Sequence, residues 1–184
     1  MTLPEKYTKP AVILHWAIAV GIFFNAGKMI FTDDHDRTRD MINLHKSIGL
    51  TILGLFILRV LWRAANKPPA LPTTYKPWES KLSHAVHYLL YTLVFAIPLA
   101  GWLMDSAYKD AAKHPLVLFN TIPWFRIPGI TSLEPAAKLQ VHDFFEGAHG
   151  LLTWVLIAIL VLHVGGALKH QFLDKEKELQ RMWF

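Results

Sequence analysis

The 184-residue chain has no cysteine and little charge. Without cysteine there is no disulfide, no iron–sulfur cluster, no thiolate-held haem and no covalent c-type haem attachment. Charged residues make up 18% of the chain and hydrophobic ones 53%, whereas soluble domains average about 25% charged and about 45–50% apolar. A soluble globular domain is therefore the wrong class. Internal repeats and low-complexity stretches are also missing. The net charge of +5 raises the question of nucleic acid. The basic residues flank apolar blocks, though, so they read as a membrane topology signal and nucleic-acid binding is not expected.

The apolar residues fall in four blocks, at about 11–31, 42–62, 82–104 and 144–168. Each is close to the roughly 20 residues that cross a hydrocarbon core of about 30 Å. Spanning backbone must satisfy its own hydrogen bonds, so each block is predicted to be a helix. The expected fold is all-α, an integral membrane four-helix bundle forming one domain over 1–184. Pro98 is predicted to kink the third helix. The first block is long and lacks a small-residue cleavage site, so it reads as a span and not a signal peptide. Four spans place both termini on one side. Together with the 63–81 loop, and counting Arg59, that side carries 11 of the 19 Lys and Arg residues but five of the 14 acids, Glu5 included. The excess predicts cytoplasmic termini and a multi-pass protein of a bacterial inner membrane. Segment 105–143, with its apolar-aromatic run 116–130, is expected to lie in the periplasmic interface.

Ionisable groups inside a membrane are costly and point to function. The chain has ten histidines. His15 lies just inside the cytoplasmic end of the first block, and His45 near the periplasmic start of the second. His142, His149, His163 and His170 follow at intervals of 7, 14 and 7, which keeps them on one helix face. His149 and His163 are then about 21 Å apart along the axis, the scale needed for two stacked haems. Matching depths pairs His15 with His163 and His45 with His149, and imidazole is a normal axial ligand of b-type haem. His142 competes with His149, but about 40 Å of helix separates it from Lys169, which puts it at the headgroup level. Arg59, 14 residues beyond His45, is either a clamp for anionic haem propionates or a snorkelling anchor; Arg63 reads as an anchor. His84 or His87 is a candidate propionate or quinone-site contact.

These residues and their order resemble the bacterial cytochrome b561 family of small four-helix di-haem cytochromes. The matching pieces are Leu14-His15-Trp16, Leu44-His45-Lys46-Ser47-Ile48-Gly49 and Leu58-Arg59-Val60-Leu61-Trp62-Arg63. They continue in Ala85-Val86-His87-Tyr88-Leu89-Leu90-Tyr91, Pro98-Leu99-Ala100-Gly101, His149, His163 and Ala167-Leu168-Lys169-His170. The resemblance covers nearly the whole chain. It implies two haem b groups with one ligand each from helices one and two and two from helix four. It also implies superoxide oxidation at the periplasmic face, with ubiquinone reduced as an exchangeable substrate near the cytoplasmic haem. On that resemblance Lys46, with Arg37 or Arg39, would steer superoxide, and His170 would line the quinone pocket and protonate the reduced quinone.

Two other functions compete. Related branches are electron-carrying subunits of hydrogenases and formate dehydrogenases, so a periplasmic redox partner is the alternative electron donor. A histidine-lined metal transporter is the reading from another class; it predicts bound metal and no haem.

Overall fold

The computed structural model describes residues 6–72 and 74–183; Glu5, counted above among the acids, lies outside them. Four long helices dominate: α1 (Lys9–Ile30), α2 (Arg39–Ala65), α3 (Pro77–Ser106) and, after the short α4 (Pro128–Thr131), α5 (Pro135–Leu168). All four are long and apolar enough to cross a membrane, and the fold is an all-α membrane bundle. Their ends follow from local chemistry. Proline sits in the first turn of α1, α3 and α5, where its missing N–H is no loss. Thr38 caps α2 by accepting from the Met41 amide at 3.3 Å. The Glu79 carboxylate accepts from the Lys76 amide at 3.0 Å at the start of α3.

The helices extend past the apolar blocks, most of all α5, which starts at Pro135. Hydropathy marks the stretch that meets lipid, whereas helical hydrogen bonding continues outside it. Beyond Leu168 the chain makes one π-helical turn, Lys169–Leu173, and then the short α6 (Glu178–Arg181). The 105–143 stretch holds a hairpin of β1 (Val117–Leu118) and β2 (Ile122–Pro123). Its turn places Phe119 and Asn120 at φ of 50° and 56°, a region that bulky residues rarely adopt. Its anchor is the buried Ser47 of α2, whose Oγ accepts from the Phe119 amide at 2.8 Å.

Extended close backbone packing joins α3 with α5, α1 with α2 and α2 with α3. Among the described residues α5 makes no comparable approach to α1 or α2. Ile18, Ile22, Ile52, Phe56, Leu93, Val94 and Leu156 form a buried apolar layer at mid-bundle. Leu156 lies halfway between His149 and His163, so the layer separates two histidine levels.

Candidate functional site

The gap between α5 and the α1–α2 pair is bridged by imidazoles. His45 of α2 faces His149 of α5 with ring centroids 5.9 Å apart. His15 of α1 faces His163 of α5 at 6.3 Å. An iron with an imidazole nitrogen about 2.0 Å away on each side would hold two centroids about 6.3 Å apart. Both pairs lie within a few tenths of that spacing, on different levels of one bundle.

The His45–His149 level is closely supported. His149 Nδ1 lies 2.9 Å from the Ile97 carbonyl. A carbonyl can only accept, so Nδ1 carries the proton and Nε2 keeps its lone pair. A backbone carbonyl holding the far nitrogen is the usual way a metal-binding imidazole is oriented. A Cβ built on Gly101 would lie 3.2 Å from the His149 ring, so glycine leaves the ring its place. The buried Asn25 of α1 donates to the His45 carbonyl at 3.2 Å. His45 Nδ1 is itself buried with no hydrogen-bond partner. His142, the competing ligand, lies instead against Asp143 at 3.3 Å and Tyr108 at 6.2 Å between ring centroids.

Lys46, partly exposed, forms an ion pair with Asp105 at 2.7 Å. Asp105 is 4% exposed at its side chain and also takes Arg126 at 2.8 Å. Arg126 donates onward to the carbonyls of Ala111 and His114, each at 2.8 Å, which fastens the 105–143 stretch to the top of α3. The other two cations assigned to steering are engaged as well. Arg37 pairs with Asp34 and donates to Met29 at 2.6 Å. Arg39 meets His114 at 3.1 Å.

The His15–His163 level is more open. A third ring, that of His87, lies 5.2 Å from His163, with its Nδ1 donating to the Ser83 carbonyl at 2.7 Å. His84 is exposed. Arg59 reaches across to donate to the Ala11 carbonyl at 2.6 Å, one turn before His15. His170, expected beside a quinone pocket, stacks on Tyr75 at 4.2 Å and meets Asp174 at 2.7 Å. Asp174 also takes Lys169, whose hydrogen bond holds this carboxyl below the usual carboxylate range. Glu79 receives Lys169 at 2.5 Å. Glu79, His170 and Asp174 are close enough together to hold a metal ion, but the Lys169 ammonium already bridges the two carboxylates.

Paired imidazoles across the gap of an apolar four-helix bundle define a membrane cytochrome b. The prokaryotic cytochrome b561 family model matches residues 6–184, and the chain belongs to that family. It is 33% identical to cytochrome b561 homolog 2 of Escherichia coli (strain K12), over 97% of this chain and 92% of that protein. It is 23% identical to the probable superoxide oxidase CybB of Yersinia pestis, over 97% and 96% respectively. Cytochrome b562 of Cereibacter sphaeroides is 30% identical over 64% of this chain. Membership implies haem b binding and electron transfer in a bacterial membrane. The centroid spacings, the orphaned His45 Nδ1 and the room left by Gly101 all fit that group.

Sequence reasoning singled out the imidazoles and missed their supports. Asn25, Asp105 and Arg126 act through partners 20, 59 and 21 residues away, and no local pattern marks such pairs.

Proposed function

We propose that the chain holds two haem b groups, one between His45 and His149 and one between His15 and His163, and carries electrons from the periplasmic end to ubiquinone at the cytoplasmic end. The observation that carries this reading is the pair of ring couples at 5.9 and 6.3 Å. Bound haem iron supplies one-electron transfer. The protein's part is to orient the rings, to separate the two levels with the Leu156 layer, and to manage charge and protons at each end. Superoxide is the proposed electron donor, as the name of the Yersinia pestis relative suggests. Lys46 and Arg126 share one carboxylate next to His45, so that cluster keeps a net positive charge that favours a small anion. Each superoxide loses one electron and becomes dioxygen. Two electrons and two protons convert ubiquinone to ubiquinol. His170 is the proposed proton donor, with Asp174 setting its orientation. Arg59 and His87 are the proposed contacts to propionate or quinone. Both termini are placed in the cytoplasm, and the apolar hairpin in the periplasmic interface.

The engagement of Lys46, Arg37 and Arg39 with Asp105, Asp34 and His114 favours a second reading, in which a periplasmic redox protein is the donor. Phe119, Ile122 and Phe125 are exposed in the 105–143 stretch. The purified protein decides between the two. Rapid reduction of its haem bands by superoxide, followed by quinone reduction, supports the first. Inertness until a partner is added supports the second. A preparation without haem despite ample iron removes both.

A further inference from the structure

At the end of the bundle that carries both termini lies a cavity of about 400 Å³, within the size range of small-ligand sites. Lys6, Arg59, Arg63 and Lys67 line it, and among the described residues no acid does. Its apolar wall includes Trp62 and Tyr91. We propose that this cavity binds a phosphate-bearing anion, either the headgroup of an anionic phospholipid or a soluble phosphate compound.

The charge pattern distinguishes this cavity from the ion-paired clusters elsewhere in the bundle. Lys46, Arg126 and Lys169 each meet a carboxylate. Among the described residues, Arg59 donates to a carbonyl and Arg63 lies over the Tyr91 ring at 5.6 Å, and neither meets an acid; nor does Lys67. Arg63 and Lys67, with Arg59 further in, repel one another around one hollow, and an anion between them removes that cost. A second, independent feature is the Tyr91 hydroxyl, which is buried without a hydrogen-bond partner. A buried donor left unpaired is costly, and a ligand oxygen would satisfy it. Guanidinium forks match phosphate oxygens in pairs. The apolar wall suits the glycerol carbons next to a lipid phosphate, and basic pockets between membrane helices take such headgroups. A neutral quinone ring has no need of three cations. Arg59 is shared with the proposed haem site, whereas Arg63 and Lys67 lie further out along the chain from the histidines.

The test uses the full haem-loaded chain, stripped of lipid in detergent. Native mass spectrometry then measures binding of added phosphatidylglycerol, of zwitterionic phosphatidylcholine and of inorganic phosphate. Wild type is expected to retain phosphatidylglycerol over phosphatidylcholine. Arg63→Gln with Lys67→Gln should weaken that binding about tenfold or more, and Tyr91→Phe about threefold to tenfold. The exposed Lys67→Gln alone is the version least prone to misfold. Displacement by inorganic phosphate, with the same loss in the variants, identifies a soluble ligand; resistance to displacement identifies the lipid. Equal binding of both lipids in wild type and variants, with no phosphate binding, overturns the proposal. So does a double variant that loses haem while its lipid and phosphate binding stay unchanged, since the cavity then serves the porphyrin. The binding readout involves no electron transfer, so it stands or falls apart from the proposed activity.

Discussion

At the His45–His149 level the neighbours of the rings are tied down. Ile97 fixes His149, Asn25 holds the backbone of His45, Gly101 leaves the ring its space, and Lys46 and Arg126 share Asp105. At the His15–His163 level a third imidazole crowds the pair and Arg59 is drawn to a carbonyl. A cavity opens there, and among the described residues no carboxylate lines it. The C-terminal tail clasps this open end: Arg181 donates to Ala70 at 2.5 Å and Trp16 to the Met182 carbonyl at 2.7 Å. The contrast teaches that one bundle can set its two ends differently. One end is tied down by long-range hydrogen bonds and ion pairs. The other gathers cations that, among the described residues, meet no carboxylate.

The largest expected effect is on haem content. Replacing His15, His45, His149 or His163 singly by alanine should remove about one haem per chain, counted as pyridine haemochrome. Full occupancy in all four variants would remove the ligand assignment and the comparison with it. Next comes Asp105→Asn, which leaves Lys46 and Arg126 without their shared carboxylate. It should cost about 3 kcal/mol, the low end for a broken buried pair because Lys46 keeps some solvent. Loss of haem band intensity on heating is the measurement, and an unchanged midpoint would show that this end is not held by charge. Gly101→Ala pushes a methyl against His149 and should cost about 1–2 kcal/mol, with a shift in the visible spectrum of one haem only.

His87→Ala sharpens the contrast from the other end. Haem content should stay at the wild-type level, because His15 remains to face His163. Loss of one haem would transfer the ligand role from His15 to His87. The smallest effect concerns Asp174, whose carboxyl is depressed by Lys169 and His170. A depressed acid stabilises the fold above its ordinary range of about 3.9 and loses that contribution as pH falls through its folded value. Acidification should therefore loosen the tail first, read as faster proteolysis after Leu173, and Asp174→Asn should abolish the pH dependence of that cleavage.

Much of the architecture was legible in the chain. Four apolar blocks announced four helices, and intervals of 14 between His45 and Arg59 and between His149 and His163 followed from helical geometry. The helix ends were less legible, since Pro135 begins α5 nine residues before its apolar block. The steering role expected of Lys46 rested on the family resemblance and did not include Asp105, 59 residues away. The family resemblance put His170 near a quinone pocket. Its stack with Tyr75 and contact with Asp174 depend on how the chain turns after Leu168.

The sequence by itself determined that this chain crosses a membrane four times and brings histidines to two depths, because hydropathy and helical periodicity are properties of neighbouring residues. Only the tertiary structure decided that His87 stands against His163. It also decided that Asp105 settles between two cations, while among the described residues Arg59, Arg63 and Lys67 meet no acid. Such choices depend on which helix faces come together, and that is set by packing among residues far apart in the chain.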